Sequence, residues 1–591
     1  MAHFTLIRPP HVSSYRSYAV VREPPLGLAY VAGAIESAGH RVTMIDALGE
    51  ALDTREPAAY PGLVAYGLPI PEIVRRIPAT TDAIGISVMF SQQWPHVEAI
   101  VRAIAERFPN VPLILGGEHA TATWQYLLER CPGVTVCVLG EGELTAIAIA
   151  DAIDAKSPFD TIPGIALRID GRPQKTEPRP RLRAPESLPW PAWHLIPLDA
   201  YFSRRLYGMG IDRGRSLPIM ATRGCPYQCT FCSSPSMWTT RYVARPVTDV
   251  VDEIETYVKR YGISNVDFED LTAFIKRNWI LDLCRELERR NLRITYQLPV
   301  GTRSEALDRE VLEALYRTGC RNIAYAPESG SPRTLERIKK KVRLDRMVES
   351  IRAAADVGMV VKVNMMIGFP FEERRDMWET LAFCSTLAEN GVDDLQLYPF
   401  CPYPGTELYD ELRREGVLPE MSNDYFASLT FTEFGQTTSV CRHVPQKEIK
   451  AYQVFGMLLT QAVGYASHPS RILRTFANVA RGRHDSIAER TLARVIRRGL
   501  AGLHRSSDVT PTSPTATSPE VPAPVHTKSP DVVTPLPTKS PDVLVPLRTK
   551  SSDVVAPLHP KSPEVTAPLH TKSPDAAALI HAVAAETANG A

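Results

Sequence analysis

The chain has 591 residues, enough for three or four domains at roughly 100–200 residues each. Its 67 Lys and Arg against 66 Asp and Glu leave a net charge of +1, so no global field attracts nucleic acid, and its 44% hydrophobic content is that of a globular protein. No apolar run reaches the roughly 18 residues of a spanning helix, MAHFTLIRPP has neither a long apolar segment nor a cleavage site, and ten cysteines spread over this length exclude a secreted disulfide scaffold, which leaves a multidomain, cytoplasmic protein.

Residues 1–155 alternate strand and helix. FTLI, RVTMID, AIGISV, VPLILGG and VTVCVLGEG read as buried parallel strands, with helices over Leu26–Ala38, His96–Phe108 and Leu144–Ala155. Such βα units predict an α/β fold with a doubly wound open sheet, whose ligands sit beyond the strand C-terminal ends. There the sequence places Arg8, Asp46, Ser87, Gly116, Gly117, Gly140, Glu141 and Gly142, with Glu118 and His119 close by. Glycines at strand ends let a backbone approach a large ligand. Any one of these pairs is also compatible with plain turn chemistry; the set together predicts a binding edge.

Residues 156–215 form a connector rich in Pro and Arg, with Trp190 and Trp193 packed between domains. A second βα series occupies residues 216–410. Its strands are LPIMA, NVDFED, ITYQL, NIAYA, VVKVNMMIG and DDLQLYPF. Its helices are Val247–Tyr261, Trp279–Arg290, Glu310–Thr318, Leu344–Val357 and Glu372–Glu389. Six units predict a barrel-like sheet, closed or partial, with its chemistry at the C-terminal mouth. Residues 411–505 are predicted helical. Arg471, Arg474, Arg481, Arg483, Arg490, Arg494, Arg497, Arg498 and Arg505 there face only Asp485 and Glu489, beside Ile472, Leu473, Phe476, Leu492, Val495 and Ile496. This basic stretch reads as a solvated helix face, with peripheral contact to an anionic membrane as the alternative. Residues 506–591 lack Phe, Trp and Tyr and repeat every 11 residues at Lys528, Lys539, Lys550, Lys561 and Lys572. Their prolines forbid a coiled coil and predict an extended, disordered tail.

Cys225, Cys229 and Cys232 stand in RGCPYQCTFC, directly after the first strand of the second series. Three cysteines in eight residues on one loop argue for metal. A closed zinc site needs four ligands, and no fourth Cys or spaced His is near. Three thiolates suit a [4Fe–4S] cluster whose fourth iron is open to a substrate or cofactor. The other cysteines (Cys131, Cys137, Cys284, Cys320, Cys384, Cys401 and Cys441) are scattered and read as small core residues.

Cys-x3-Cys-x2-Cys after strand one of a six-unit βα series resembles the radical SAM superfamily. The resemblance implies that Cys225, Cys229 and Cys232 ligate a [4Fe–4S] cluster, that S-adenosylmethionine chelates the open iron, and that one electron from a donor such as flavodoxin or ferredoxin cleaves it to a carbon radical. It further implies that Phe231 contacts the adenine side and that Glu328, Ser329 and Gly330 contact ribose or methionine. Gly368-Phe369-Pro370 matches the family's turn near the adenine, and Asp267, Glu269 and Asp270 end the strand where the amino-group motif lies, without that motif's small residues. PPLGLAYVAG, MIDALGE, GGEHAT, VLGEGE and PAWHLIPLDAYF narrow the resemblance to the cobalamin-binding radical SAM class, which holds C-methylases and the anaerobic magnesium-protoporphyrin ester cyclase. The chain lacks the Asp-x-His-x-x-Gly that supplies a lower histidine to cobalt, and nothing places His119 in that role. The expectation is a radical SAM enzyme that, with cobalamin, methylates an unactivated carbon of a small molecule or lipid. A cyclase of the ester-cyclase type and an iron–sulfur sensor are the alternatives.

Overall fold

The computed structural model describes residues 1–482 except 16, 18–22, 205–210, 212, 273 and 431–438, and then 484–486, 489, 492, 493 and 496. The repeat tail, and Arg483, Arg490, Arg494, Val495, Arg497, Arg498 and Arg505 of the basic stretch, lie outside the described residues.

The N-terminal strands are β1 (His3–Arg8), β2 (His11–Ser14), β3 (Arg41–Asp46), β4 (Arg55–Pro57), β5 (Leu63–Tyr66), β6 (Ala83–Ser87), β7 (Leu113–Gly116), β8 (Val136–Val138), β9 (Ile165–Ile169) and β10 (Arg172–Lys175). Seven of them form one sheet in the order β10-β9-β8-β7-β6-β1-β3. From β3 to β8 every pairing is parallel, with Ile7 opposite Ile45 on one side and Ile86 on the other. These strands are apolar on both sides because both faces are covered. Leu6 packs with Ile35 and Ile149, which lie on helices α1 (Leu26–Ser37) and α5 (Glu143–Ala155). Ile7 packs on the other face with Ile73 of α2 (Ile70–Arg76), Ile100 of α3 (Trp94–Arg107) and Leu127 of α4 (Glu118–Arg130). Strand order reverses between β1 and β6, so the ligand crevice of such a sheet lies beyond Arg8 and Ser87.

Two features differ from the sequence reading. Residues 165–175, assigned to the connector, form a hairpin that extends the sheet antiparallel from β8. Asp170 and Gly171, both at positive φ, make its two-residue turn. In addition, β2, β5 and β4 form a small antiparallel sheet beside the main one.

The second series comprises β11 (Ser216–Ile219), β12 (Thr222–Arg223), β13 (Val243–Ala244), β14 (Asn265–Phe268), β15 (Thr295–Thr302), β16 (Cys320–Glu328), β17 (Val360–Ile367) and β18 (Asp394–Pro399). Six strands run in chain order, β11-β14-β15-β16-β17-β18, each parallel to its neighbour. Among the described residues the edge strands β11 and β18 do not pair, so the barrel is partial. After α6 (Leu198–Ser203) in the connector come α7 (Ser234–Trp238), α8 (Val247–Tyr261), α9 (Arg277–Arg289), α10 (Arg309–Thr318), α11 (Pro332–Arg337), α12 (Leu344–Asp356) and α13 (Arg374–Glu389). Their apolar stripes face the sheet; α10, for example, buries Val311, Leu312 and Leu315 and is capped by Asp308, which accepts from the Val311 amide at 2.9 Å. Helix α13 starts at Arg374 rather than Glu372, because Glu373 caps it and Glu372 turns back toward Gly368.

The connector ties the two sheets into one core. Trp193 is fully buried and meets Tyr257 of α8 edge-on at 6.4 Å. The Ala192 amide donates to Ala29 of α1 at 2.9 Å. This approach needs Gly33, where a Cβ would stand 2.7 Å from the Trp190 carbonyl.

The last helices are α14 (Glu407–Arg414), α15 (Asn423–Ser428), α16 (Gln446–Ser467) and α17 (Ser470–Ala480). Helix α17 corrects the expectation of a solvated basic face. Arg471 donates to the Val392 carbonyl at 2.7 Å, Arg471 and Arg474 both pair with Asp393, and Ile472, Leu473 and Phe476 are exposed. No helix of the described residues is long and apolar enough to cross a membrane.

Candidate functional site

The loop that follows β11 and β12 carries the three cysteines, all free thiols and all half-buried. It is pinned at both sides: the Thr230 amide donates to the Ile338 carbonyl at 3.1 Å, and the Leu408 amide to the Thr230 carbonyl at 2.9 Å. The Cys232 amide donates to the Cys229 carbonyl at 3.1 Å, and the Ser234 amide at the start of α7 points at Cys232 Sγ from 3.5 Å. The thiols lie close enough to repel one another when ionised. Burial pushes Cys232 up to about 12, and burial also raises Cys229, against the pull of the Lys340 ammonium. Bound iron removes that cost by taking the thiolate. Among the described residues no three Cys, His, Asp or Glu converge on a single ion. A cluster asks for something else, one thiolate per iron spread along a short loop, and this donor set fits it.

The mouth of the partial barrel surrounds this loop. Phe231 faces Phe369 with centroids 6.0 Å apart, which joins the Cys loop to the Gly368-Phe369-Pro370 turn. Glu372 holds that turn, accepting from the Gly368 and Phe369 amides at 2.6 and 3.1 Å. Glu328 ends β16 at φ 72°, a left-handed conformation costly for a residue with a Cβ, and pairs with the half-buried Lys340 at 2.9 Å. Arg303 stacks on Tyr227 of the Cys loop at 3.6 Å.

At the ends of β14 and β15 several buried polar atoms have no partner among the described residues: Glu269 Oε1, Asp270 Oδ2, Thr302 Oγ1 and Ser304 Oγ. Orphans of this kind are rare in a finished core and fit a polar ligand such as the amino-acid end of S-adenosylmethionine. Burial raises both acids, Asp270 to about 6 and Glu269 well above its usual range, and Glu23 from the first domain adds its charge to Glu269. Asp267 lies deeper, bonded to Ser216, Asn265 and Gln297, and belongs to the barrel interior rather than the mouth. Ser329 also turns away, sharing a hydrogen bond with Thr380 of α13 at 2.9 Å.

At the first sheet, Arg8 and Asp46 stand side by side at the ends of β1 and β3. Tyr201 of the connector closes over them. Its hydroxyl accepts from Arg8 at 2.5 Å and donates to the buried Asp46 at 2.6 Å, and Asp46 also accepts from the Gly49 amide at 2.9 Å. Asp46 is thereby spent on the fold. Ser87, Gly116, Gly117, Gly140 and Gly142 remain half-buried along the edge. A Cβ on Gly116 or Gly142 would make only ordinary contacts, at 3.8 and 3.5 Å, whereas one on Gly117 would stand 2.7 Å from the Val88 carbonyl; an edge of such small residues fits the close approach of a flat macrocycle such as cobalamin. His119 takes no part in it. It is buried, bonded to Ser91 at 2.9 Å and near Thr123 at 3.3 Å, and burial lowers it to about 3.

Glu141 likewise turns inward, and shows what the sequence reading missed. Arg223, two residues before Cys225, is 4% exposed and pairs with Glu141 at 3.1 Å and Glu143 at 2.6 Å, under the rings of Tyr30 and Trp238. Arg181 of the connector donates to the same Glu141 at 2.7 Å. The signal was an arginine adjoining the cysteine motif and a Gly-Glu-Gly-Glu loop, with nothing in either to say that they meet. Lys340, Arg303, Tyr227 and Glu372 were missed too; Tyr227 lies within the cysteine motif and Glu372 two residues beyond Gly-Phe-Pro, while Lys340 and Arg303 adjoin no recognised motif.

The chain matches the B12 binding domain over residues 15–150 and the radical SAM superfamily over residues 219–384. It is 29% identical over 419 residues to an uncharacterized methyltransferase of Pyrococcus horikoshii, covering 71% of this chain and 84% of that one. It is 29% identical over 432 residues to the cytidylyl-2-hydroxyethylphosphonate methyltransferase of Streptomyces wedmorensis, covering 67% and 79%. Its fold is similar to that of the radical S-adenosylmethionine methyltransferase TsrM of Kitasatospora setae, solved with cobalamin and a [4Fe–4S] cluster, with TM-score 0.56 and 19% identity over 71% of this chain and 80% of that one.

Proposed function

We propose, on the premise that this chain belongs to the cobalamin-binding radical SAM class, that it is a C-methylase which transfers a methyl group to an unactivated carbon of a small-molecule or lipid substrate. The observation that carries the reading is the pairing of two strand mouths, a thiol-bearing one and a glycine-lined one, joined through Arg223. Both relatives described above bear the name methyltransferase, one of them uncharacterized, which favours methylation over ring closure. When bound, the cluster with S-adenosylmethionine supplies a carbon radical and cobalamin supplies the methyl group.

The chain's own residues hold, orient and shield. Cys225, Cys229 and Cys232 hold the cluster, and the pinned loop fixes their spacing. Phe231 and the Gly368-Phe369 turn give the nucleoside an apolar wall, while Asp270, Glu269, Thr302 and Ser304 offer the unpaired acceptors a cationic amino group needs. Glu328, held by Lys340, contacts the same ligand from β16. Gly116, Gly117, Gly140 and Gly142, with Ser87 and Arg8, line the bed for cobalamin. With His119 consumed by Ser91, no histidine of that edge is offered to cobalt among the described residues. The substrate lies between the mouths, out of bulk water. A flavodoxin- or ferredoxin-type donor supplies electrons.

The test is an anaerobic turnover with reductant, with and without cobalamin. A C-methylase gives 5′-deoxyadenosine and a product heavier by about 14 Da per methyl. A product without that gain indicates a cyclase, and bound iron without any cleavage indicates a sensor.

A further inference from the structure

Amphipathic helices ordinarily bury the apolar stripe and leave the charged one in water. Helix α17 is mounted the other way. Its one buried side chain is Asn478, and its arginines 471 and 474 are used to fasten it to Asp393 and Val392. Leu473 is left 75% exposed and Phe476 59%, with Ile472 beside them. The neighbouring elements also expose apolar side chains. Helix α16 presents Val454, Phe455 and Leu458, the last 65% exposed, and α13 adds Trp378, 54% exposed and 6.1 Å from the Phe455 ring. Large apolar side chains exposed on adjoining elements mark an interaction surface.

Charge identifies the occupant. Lys447 and Lys450 are exposed at the N-terminal end of the α16 stripe. The chain that follows α17 carries seven arginines between positions 481 and 505 against two acids, Asp485 and Glu489. Both acids are already engaged, Asp485 by Arg213 at 3.0 Å and Glu489 by Asn478 at 2.9 Å. An apolar face flanked by the exposed Lys447, Lys450 and Arg481, and followed in sequence by a basic stretch, disfavours pairing with a second copy of itself. It complements a surface that is anionic at its headgroups and apolar just beneath them.

We infer that the α16–α17 face, with Trp378, docks the protein peripherally on an anionic lipid bilayer. The apolar side chains enter the headgroup–acyl boundary, and Lys447, Lys450 and Arg481 meet lipid phosphates. This is independent of the chemistry at the strand mouths and requires no spanning segment.

The test is co-sedimentation of the full chain with phosphatidylcholine vesicles, with or without one quarter phosphatidylglycerol. Binding is expected to the anionic vesicles alone and to weaken at high salt. The double variant Leu473→Asp/Phe476→Asp should bind roughly tenfold more weakly. Leu458→Asp, on the other helix, should weaken binding in the same direction. All altered residues are exposed, so iron content and melting temperature should be unchanged. No binding to anionic vesicles, or equal binding by the variants, overturns the proposal. So does a dimer in light scattering that the double variant dissociates, which makes a second copy the occupant. A photo-crosslinker at position 473 that labels the chain's own residues beyond 505 without vesicles overturns it as well.

Discussion

The two strand mouths spend their polar residues differently. At the first sheet the charged side chains are satisfied by the protein itself: Asp46 by Tyr201 and Gly49, Glu141 by Arg181 and Arg223. What remains open there is largely backbone and glycine. At the second sheet Glu269, Asp270, Thr302 and Ser304 keep unpaired polar atoms in a buried setting. A broad, flat ligand can be seated by shape and backbone, whereas a small zwitterion must be held by side chains, and the two edges divide along that line.

The contrast can be broken most severely at the Cys loop. Cys229→Ala should remove the iron, the brown colour and all S-adenosylmethionine cleavage, read by iron and sulfide content, visible absorption and 5′-deoxyadenosine release; a full cluster in this variant would refute the ligand assignment. Next is the joint between the mouths. Arg223→Met leaves the buried Glu143 without its cation and Glu141 with Arg181 alone, which should cost on the order of 3–5 kcal/mol in denaturant unfolding. Adding Glu143→Gln should recover part of that loss.

A smaller effect sharpens the contrast between satisfied and unsatisfied acids. Asp270→Asn should raise the dissociation constant for S-adenosylmethionine roughly tenfold while leaving cobalamin uptake unchanged, measured by calorimetry and by the cobalamin absorption bands. Asp46→Asn should lower melting temperature and leave S-adenosylmethionine affinity unchanged. The mildest expectation concerns His119, whose folded value of about 3 lies below the 6.5 of an exposed histidine. Between those values the unfolded chain binds more protons, so stability is complete above pH 6.5 and declines as pH falls toward about 3. Replacing His119 with Gln should flatten that part of the stability profile.

Much of this was legible in the sequence. The strands of both sheets, the cysteine trio and its position after the first strand of the second series follow from apolar runs and spacing. Other features were not, for reasons of long-range pairing. The Ile165–Lys175 hairpin carries an Asp-Gly turn signal but sits in a Pro- and Arg-rich stretch that otherwise reads as connector. Helix periodicity shows that α17 has two unlike faces and cannot say which is inside; Asp393, some eighty residues earlier, decides that. A charged residue at a strand end looks the same whether Tyr201 lies over it or not, so Asp46 and Glu141 could be read as ligand contacts. Glu328 was singled out correctly as a strand end, but its left-handed backbone and its partner Lys340 appear only in three dimensions.

Arg223 is clamped in the first sheet's loop while Cys225 lies two peptide units further along the same backbone, with Gly224 between them at φ 77°. The separation of the two halves is therefore gauged by covalent geometry, which tolerates tenths of an ångström, and not by a deformable domain boundary. A chimera that swaps in a relative's N-terminal half would keep its alignment only if that half brings acidic residues able to receive this guanidinium.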